Sequence, residues 1–244
     1  EFDWRSLTSD QKTVLLNLKH PMVLENFFIH KYDERPLPKA CAKGNMEDIK
    51  LMVEVVSPID INDAKSIDGK TGAYYAALNG KDDVVAYLLK NGAKQMDVKN
   101  GRDDFNKLKT IVGEEKMKIL EQGDQFTGTL DLSSKSINDE GCIILAIALK
   151  RMTALNKLSL YKNQIGDNGM IHLSKALPKM IALNTLGLSC NQIGDNGIEH
   201  LSKALPKMIA LNMLNLSNNQ IGKKGLVSIT NAVNNEIALK TLYH

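Results

Sequence analysis

Residues 158–185 read LSLYKNQIGDNGMIHLSKALPKMIALNT, and residues 186–213 read LGLSCNQIGDNGIEHLSKALPKMIALNM. The two stretches differ at six of their 28 positions. The same step runs outward in both directions. Leu130, Leu158, Leu186, Leu214 and Leu242 keep it, as do the columns headed by Leu132, Ile137, Gly141, Ala148 and Leu155. Self-similarity at a fixed period, without a single insertion, marks a stack of units in which each buries its apolar face on the next.

Each unit is legible physically. The L-x-L core alternates inward and outward side chains, the pattern of a short strand. Asn163, Asn191 and Asn219 follow three residues after the second leucine, where an amide can satisfy backbone groups in the turn. Gly166, Gly194 and Gly222 suit the loop. From Asp167 to Lys179, Met170, Leu173, Ala176 and Leu177 recur at helical spacing. Pro178 and Pro206 fall where a helix ends. The spacing L-x-x-L-x-L-x-x-N-x-I-x-x-x-G over 130–244 resembles the long, ribonuclease-inhibitor-like subtype of leucine-rich repeats. That resemblance implies a curved right-handed solenoid, with a parallel sheet on the concave face and helices outside. Lys135 replaces the asparagine in the first unit, which marks 130–157 as a modified first layer.

The first half has another rhythm. Residues 68–80 read DGKTGAYYAALNG, followed by the apolar run to Leu89 and then Lys90-Asn91-Gly92-Ala93. This resembles the ankyrin repeat. Thr71 stands where a hydroxyl caps the first helix, Ala76 and Ala77 allow close helix approach, and Gly80 and Gly92 end the two helices. A preceding unit matches through Pro36, Leu37, Ala40, Cys41, Gly44, Ile49, Met52 and Val53, with the connecting hairpin over 57–70 about three residues longer than usual. Gly72, Ala73 and Tyr74 depart from the familiar Pro, Leu and His. Residues 100–122 read as a degenerate third unit, and the segments 7–18 and 22–29 as a helical cap. The fold expected is thus two repeat solenoids, all-α ankyrin repeats over 1–124 and an α/β leucine-rich solenoid over 125–244, with the boundary at the polar stretch 123–128.

Composition narrows the function. Hydrophobic residues at 43% and charged residues at 24% are globular usage. The longest apolar run, Cys142 to Leu149, is far short of the ~18 residues that span a bilayer. Three distant cysteines and no signal-peptide pattern imply reduced thiols in the cytoplasm. A net charge of +3 lacks the basic stripe of a nucleic-acid binder. The second half, residues 130–244, is the more basic, with 12 Lys and Arg against 7 Asp and Glu. Its rows Lys175/Lys179 and Lys203/Lys207 read first as a solvated helix face, with an acidic partner or a membrane surface as the functional alternative.

Chemical motifs fare poorly. Gly69-Lys70-Thr71 lacks the second glycine of a phosphate loop, since Ala64 stands there. His172 and His200 share a column, but no further ligands converge on them. No catalytic triad or carboxylate pair emerges, so no enzyme and no cofactor are expected. The sequon Asn215-Leu216-Ser217 is set aside on the cysteine usage.

Expectation therefore centres on partner proteins. On the concave sheet the outward positions are Asp131 and Ser133, then Lys157, Ser159 and Tyr161, then Thr185, Gly187 and Ser189, then Met213, Asn215 and Ser217. They vary while the framework repeats, and Tyr161 and Met213 are the anchors of choice. The ankyrin resemblance implies a second surface at Lys39, Lys43, Asp68, Lys70, Tyr75 and Asn79. The resulting expectation is an adaptor or scaffold. The alternative is a regulator of an enzyme, an inhibitor or GTPase-activating type, which calls for a longer horseshoe and more charged and aromatic concave residues. A solenoid also needs a polar cap, and Leu242-Tyr243-His244 stands midway through a strand. The chain is expected to be a fragment, or to cover that end by dimerising.

Overall fold

The computed structural model describes residues 36–54, 61–62, 69–234 and 241–243, excluding the side chains of residues 36, 39, 51, 54 and 234. It forms two compact units, 1–106 and 107–244.

In the first unit α1 (Pro36–Lys43) and α2 (Met46–Glu54) make one helical hairpin, and α3 (Gly72–Leu78) and α4 (Asp82–Lys90) a second. Each turn within a hairpin is set by a glycine at positive φ, Gly44 at 76° and Gly80 at 63°, a conformation that costs a residue with a Cβ. Thr71 caps α3, its hydroxyl accepting from the Tyr74 amide at 3.3 Å and donating to Asp97 at 3.0 Å. The small residues do what their size allows. Ala40, Ala76 and Ala77 are buried in the core of this unit, in which α1 packs on α3. Gly101 is the tightest point: a Cβ there would stand 2.4 Å from the Tyr74 carbonyl oxygen. The helical cap expected over 7–18 and 22–29, and most of the long hairpin 57–70, lie outside the described residues.

The expected third unit takes a different form. Residues Gln95–Val112 are one continuous helix, α5, and the compact units divide within it, between 106 and 107, rather than at 123–128. The next helix, α6 (Glu114–Gln122), packs on the first strand and first helix of the repeats that follow. Met117 and Leu120 point into that contact and are buried. The polar stretch 123–128 is the turn leaving this helix.

The second unit is a right-stepping run of strand and helix: β1 (Thr129–Asp131), α7 (Asp139–Leu149), β2 (Lys157–Ser159), α8 (Asp167–Ala176), β3 (Thr185–Gly187), α9 (Asp195–Ala204), β4 (Met213–Asn215), α10 (Lys223–Asn234) and β5 (Thr241–Tyr243). The strands pair in sequence order, all parallel, with a register of 28 residues that places Leu130, Leu158, Leu186, Leu214 and Leu242 in one row. The first four of these leucines are fully buried, each gaining roughly 2 kcal/mol from burial. Pro178 and Pro206 sit in single 3₁₀ turns that close α8 and α9, where their missing N–H costs nothing.

Candidate binding face

Two hydrogen-bond ladders hold the strands and helices of the second unit in step. In the first, Asn191 accepts from the Ile165 amide at 3.1 Å and donates to the Leu160 and Leu188 carbonyls at 3.0 Å each. Asn163 and Asn219 make the same bridges one unit before and after. Lys135 interrupts the column without loss, because among the described residues no strand precedes β1; its own amide donates to Asn163 at 3.0 Å.

The second ladder joins helices. Asp139, Asp167 and Asp195 each open a helix, and each carboxylate accepts from the first glycine amide of the following unit at 2.7 Å: Gly166, Gly194 and Gly222. Asp167 and Asp195 also accept from Gly197 and Gly225 at 2.9 Å. Each aspartate therefore caps its neighbour's helix, where the free amides and the helix dipole favour a negative charge.

On this frame the sheet's open face presents three rows. Thr129, Lys157, Thr185, Met213 and Thr241 form the first, and Asp131, Ser159, Gly187, Asn215 and Tyr243 the second. Ser133, Tyr161, Ser189 and Ser217 lie just beyond the strand ends. Tyr161 at 43%, Met213 at 38% and Tyr243 at 51% are large apolar side chains left in solvent. Lys157 and Asp131 are exposed; Ser133, Ser159, Thr185, Asn215 and Ser217 are half-buried. Gly187 leaves a gap in the second row, since a Cβ there would meet nothing closer than the Ser159 hydroxyl at 3.7 Å. The polar residues are tied to each other. Ser133 donates to Asp131 and lies 2.7 Å from the Ser159 hydroxyl. Those bonds from Ser133 are the main reason the Asp131 carboxyl is held below its usual pKa. Asn215 accepts from the Ser217 hydroxyl at 2.7 Å, so the sequon asparagine is part of the sheet.

Two expected contact residues are corrected. Ser189 is only 6% exposed. At the same register position Tyr161 reaches past the turn, whereas a hydroxymethyl group ends below the rim. Asn79 is also buried, its amide donating to the Tyr75 carbonyl at 2.6 Å, so it closes α3 rather than facing a partner. Lys70 lies with its Nζ 4.5 Å from the Tyr74 ring centroid, a cation–π contact. Lys43 is exposed and Tyr75 half-buried. Asp68, and the side chain of Lys39, lie outside the described residues. Tyr243, the most exposed aromatic of the sheet, was not singled out from sequence; its place in the fifth repeat of L-x-L was the available signal. Among the described residues no group of three or more His, Cys, Asp or Glu is arranged to hold a metal.

Residues 152–174, 182–202 and 211–229 match the family model described as Leucine Rich repeat. All three stretches lie on the second unit; none reaches the first. No curated protein matches the sequence. Among solved structures the chain is similar to leiomodin-1 actin-binding site 2, with 21% identity, a TM-score of 0.49, and coverage of 53% of this chain and 78% of that one. It is also similar to an internalin of Listeria monocytogenes, with 23% identity, a TM-score of 0.25, and coverage of 40% and 30% respectively.

Proposed function

From a second unit built of leucine-rich repeats on one parallel sheet, we propose that the chain is a non-enzymatic adaptor that captures a partner protein on the concave face. One observation carries the reading. The near-identical stretches 158–185 and 186–213 differ at Ser159/Gly187, Tyr161/Ser189, Lys162/Cys190, Met170/Ile198, Ile171/Glu199 and Thr185/Met213. Three of these six pairs stand in the rows of the open face and a fourth in the turn beside them. Four of the six changes fall on or beside the open face, while the one pair buried at both positions, Met170/Ile198, exchanges one apolar side chain for another; such a distribution suits a repeat used for recognition. Tyr161 and Met213 are its anchors, residue types enriched at interface cores.

The helical first unit supplies a second surface in this reading. Its ankyrin resemblance would bring Lys43, Lys70 and Tyr75 to a partner. An inhibitor or GTPase-activating role is less well supported, because Asp131 and Lys157 are the only charged residues in the two strand rows.

The test is affinity capture from cytoplasmic extract with the full chain and with Tyr161→Ala/Met213→Ala. The expected result is a protein retained by the first and lost with the second, at unchanged thermal unfolding. Equal retention by both would remove the concave face from the proposal.

A further inference from the structure

Helices α8 and α9 run from carboxylate to lysine. Asp167 and Asp195 stand at their first residues, occupied with the amides of the next unit. Lys175, Lys179, Lys203 and Lys207 gather at the other end. Between 168 and 194, and again between 200 and 234, there is no Asp or Glu at all. Lysine near a helix C-terminus is favoured by the helix dipole, and that accounts for the charge.

It does not account for Ile181 and Ile209. Each follows its lysines by two residues, in the turn that leads to the next strand, and each is turned outward, at 60% and 75% exposure. The preceding Met180 and Met208 are buried and anchor the same turns. Because the units stack in register, Lys175, Lys179 and Ile181 lie beside Lys203, Lys207 and Ile209. Lys175, in the last turn of its helix, and Lys179, in the 3₁₀ turn that follows, are both exposed. Among the described residues one carboxylate pairs with the ridge: Glu199 takes Lys203 at 2.9 Å and Lys224 at 3.6 Å. Among the described residues Lys175, Lys179 and Lys207 form no ion pair.

We infer that this ridge docks on an anionic lipid bilayer, its lysines meeting the headgroups and its two isoleucines entering the interface. Cations beside projecting aliphatic side chains match a surface that is negative outside and apolar just beneath. A purely acidic polypeptide would satisfy the lysines and leave the isoleucines in water. No helix among the described residues is long and apolar enough to cross a membrane, so the attachment is peripheral. The ridge shares no residue with the concave face, and the inference stands independently of the adaptor reading.

Flotation of the full chain with vesicles of about one-third phosphatidylserine in phosphatidylcholine tests it. Binding is expected to these vesicles, not to pure phosphatidylcholine, and is lost on raising salt from about 0.1 M to about 0.5 M. Lys179→Gln/Lys207→Gln lowers the partition coefficient about twenty-five-fold, at about fivefold per lysine. Ile181→Ser/Ile209→Ser lowers it about tenfold and leaves the salt dependence unchanged. All four side chains are exposed, and thermal unfolding of both variants serves as the fold check. Failure to float, or flotation untouched by both pairs of substitutions, overturns the inference. So does an isoleucine variant that binds vesicles and polyglutamate as the parent does, which would mark an acidic polypeptide as the ligand.

Discussion

The carboxylate of Asp167 holds the amide of Gly197, thirty residues along the chain, at 2.9 Å. A Cβ on Gly197 would stand 2.7 Å from the same oxygen and 3.2 Å from the Asp167 Cα. The aspartate and glycine columns are therefore one device, a cap supplied by one unit and a bare backbone that lets it approach.

Removing either half is expected to destabilise the second unit. Asp167→Ala leaves two amides at the head of α9 without their acceptor and costs about 2 kcal/mol. Gly197→Ala displaces the carboxylate and costs a similar amount. If the two effects come from one contact, the double variant loses about as much as either single one, which urea unfolding of all four proteins will show.

The asparagine ladder predicts a contrast between two positions of one column. Asn191→Ala strands one amide and two carbonyls between buried strands, at a cost of about 3 kcal/mol. Lys135→Asn places the column's usual residue in the first layer, at the edge of the described sheet, and is expected to change stability by less than about 0.5 kcal/mol. Matched urea midpoints for Lys135→Asn and the parent would bear this out.

Much of this frame was readable in advance, because columns of leucine, asparagine and glycine at 28 residues fix strand, turn and register together. The aspartate ladder was not. Asp167 reads naturally as the start of its own helix, and the glycine amides it caps lie 27 and 30 residues further on, in no local pattern. Outward direction was legible for Lys157, Tyr161 and Met213, but exposure also depends on side-chain length, which is how Ser189 was misjudged. In the first unit the glycine turns followed from sequence. The 18-residue helix across 95–112 did not, since Gly101 suggests a break and is instead retained for the close approach to Tyr74.

Ser174 and Ser202 occupy equivalent places on α8 and α9, and their buried hydroxyls find no hydrogen-bond partner among the described residues. The same column holds Ala146 one unit earlier and Thr230 one unit later, where the threonine donates to the Leu226 carbonyl at 2.7 Å. Ser174→Ala and Ser202→Ala are expected to stabilise by about 1 kcal/mol each, since an unmade buried bond costs more than its absence. Differential scanning calorimetry would register this as an upward shift in Tm; a downward shift would mean that the hydroxyls do find partners.

The three cysteines report on the two units separately. Cys41 is buried in the first unit and Cys142 in the second, while Cys190 is partly exposed beside Asn218. Burial pushes the Cys142 thiol up to about 12, with the Asp139 carboxylate adding to the effect, and raises Cys41 further still. Alkylation needs the thiolate, so iodoacetamide at about pH 8.5 is expected to label Cys190 alone in the folded chain. Cys41 and Cys142 become reactive as urea opens their respective units. A raised thiol pKa also fixes the sign of an alkaline effect. Above pH 9 the unfolded chain sheds these protons and the folded chain keeps them, so stability falls as pH rises, by up to about 1.4 kcal/mol per pH unit for each thiol. Cys142→Ala should flatten that slope for the second unit and leave the first unchanged, as urea titrations at pH 8 and pH 10 would reveal, with pulse proteolysis of 130–244 reporting the second unit and Cys41 labelling the first.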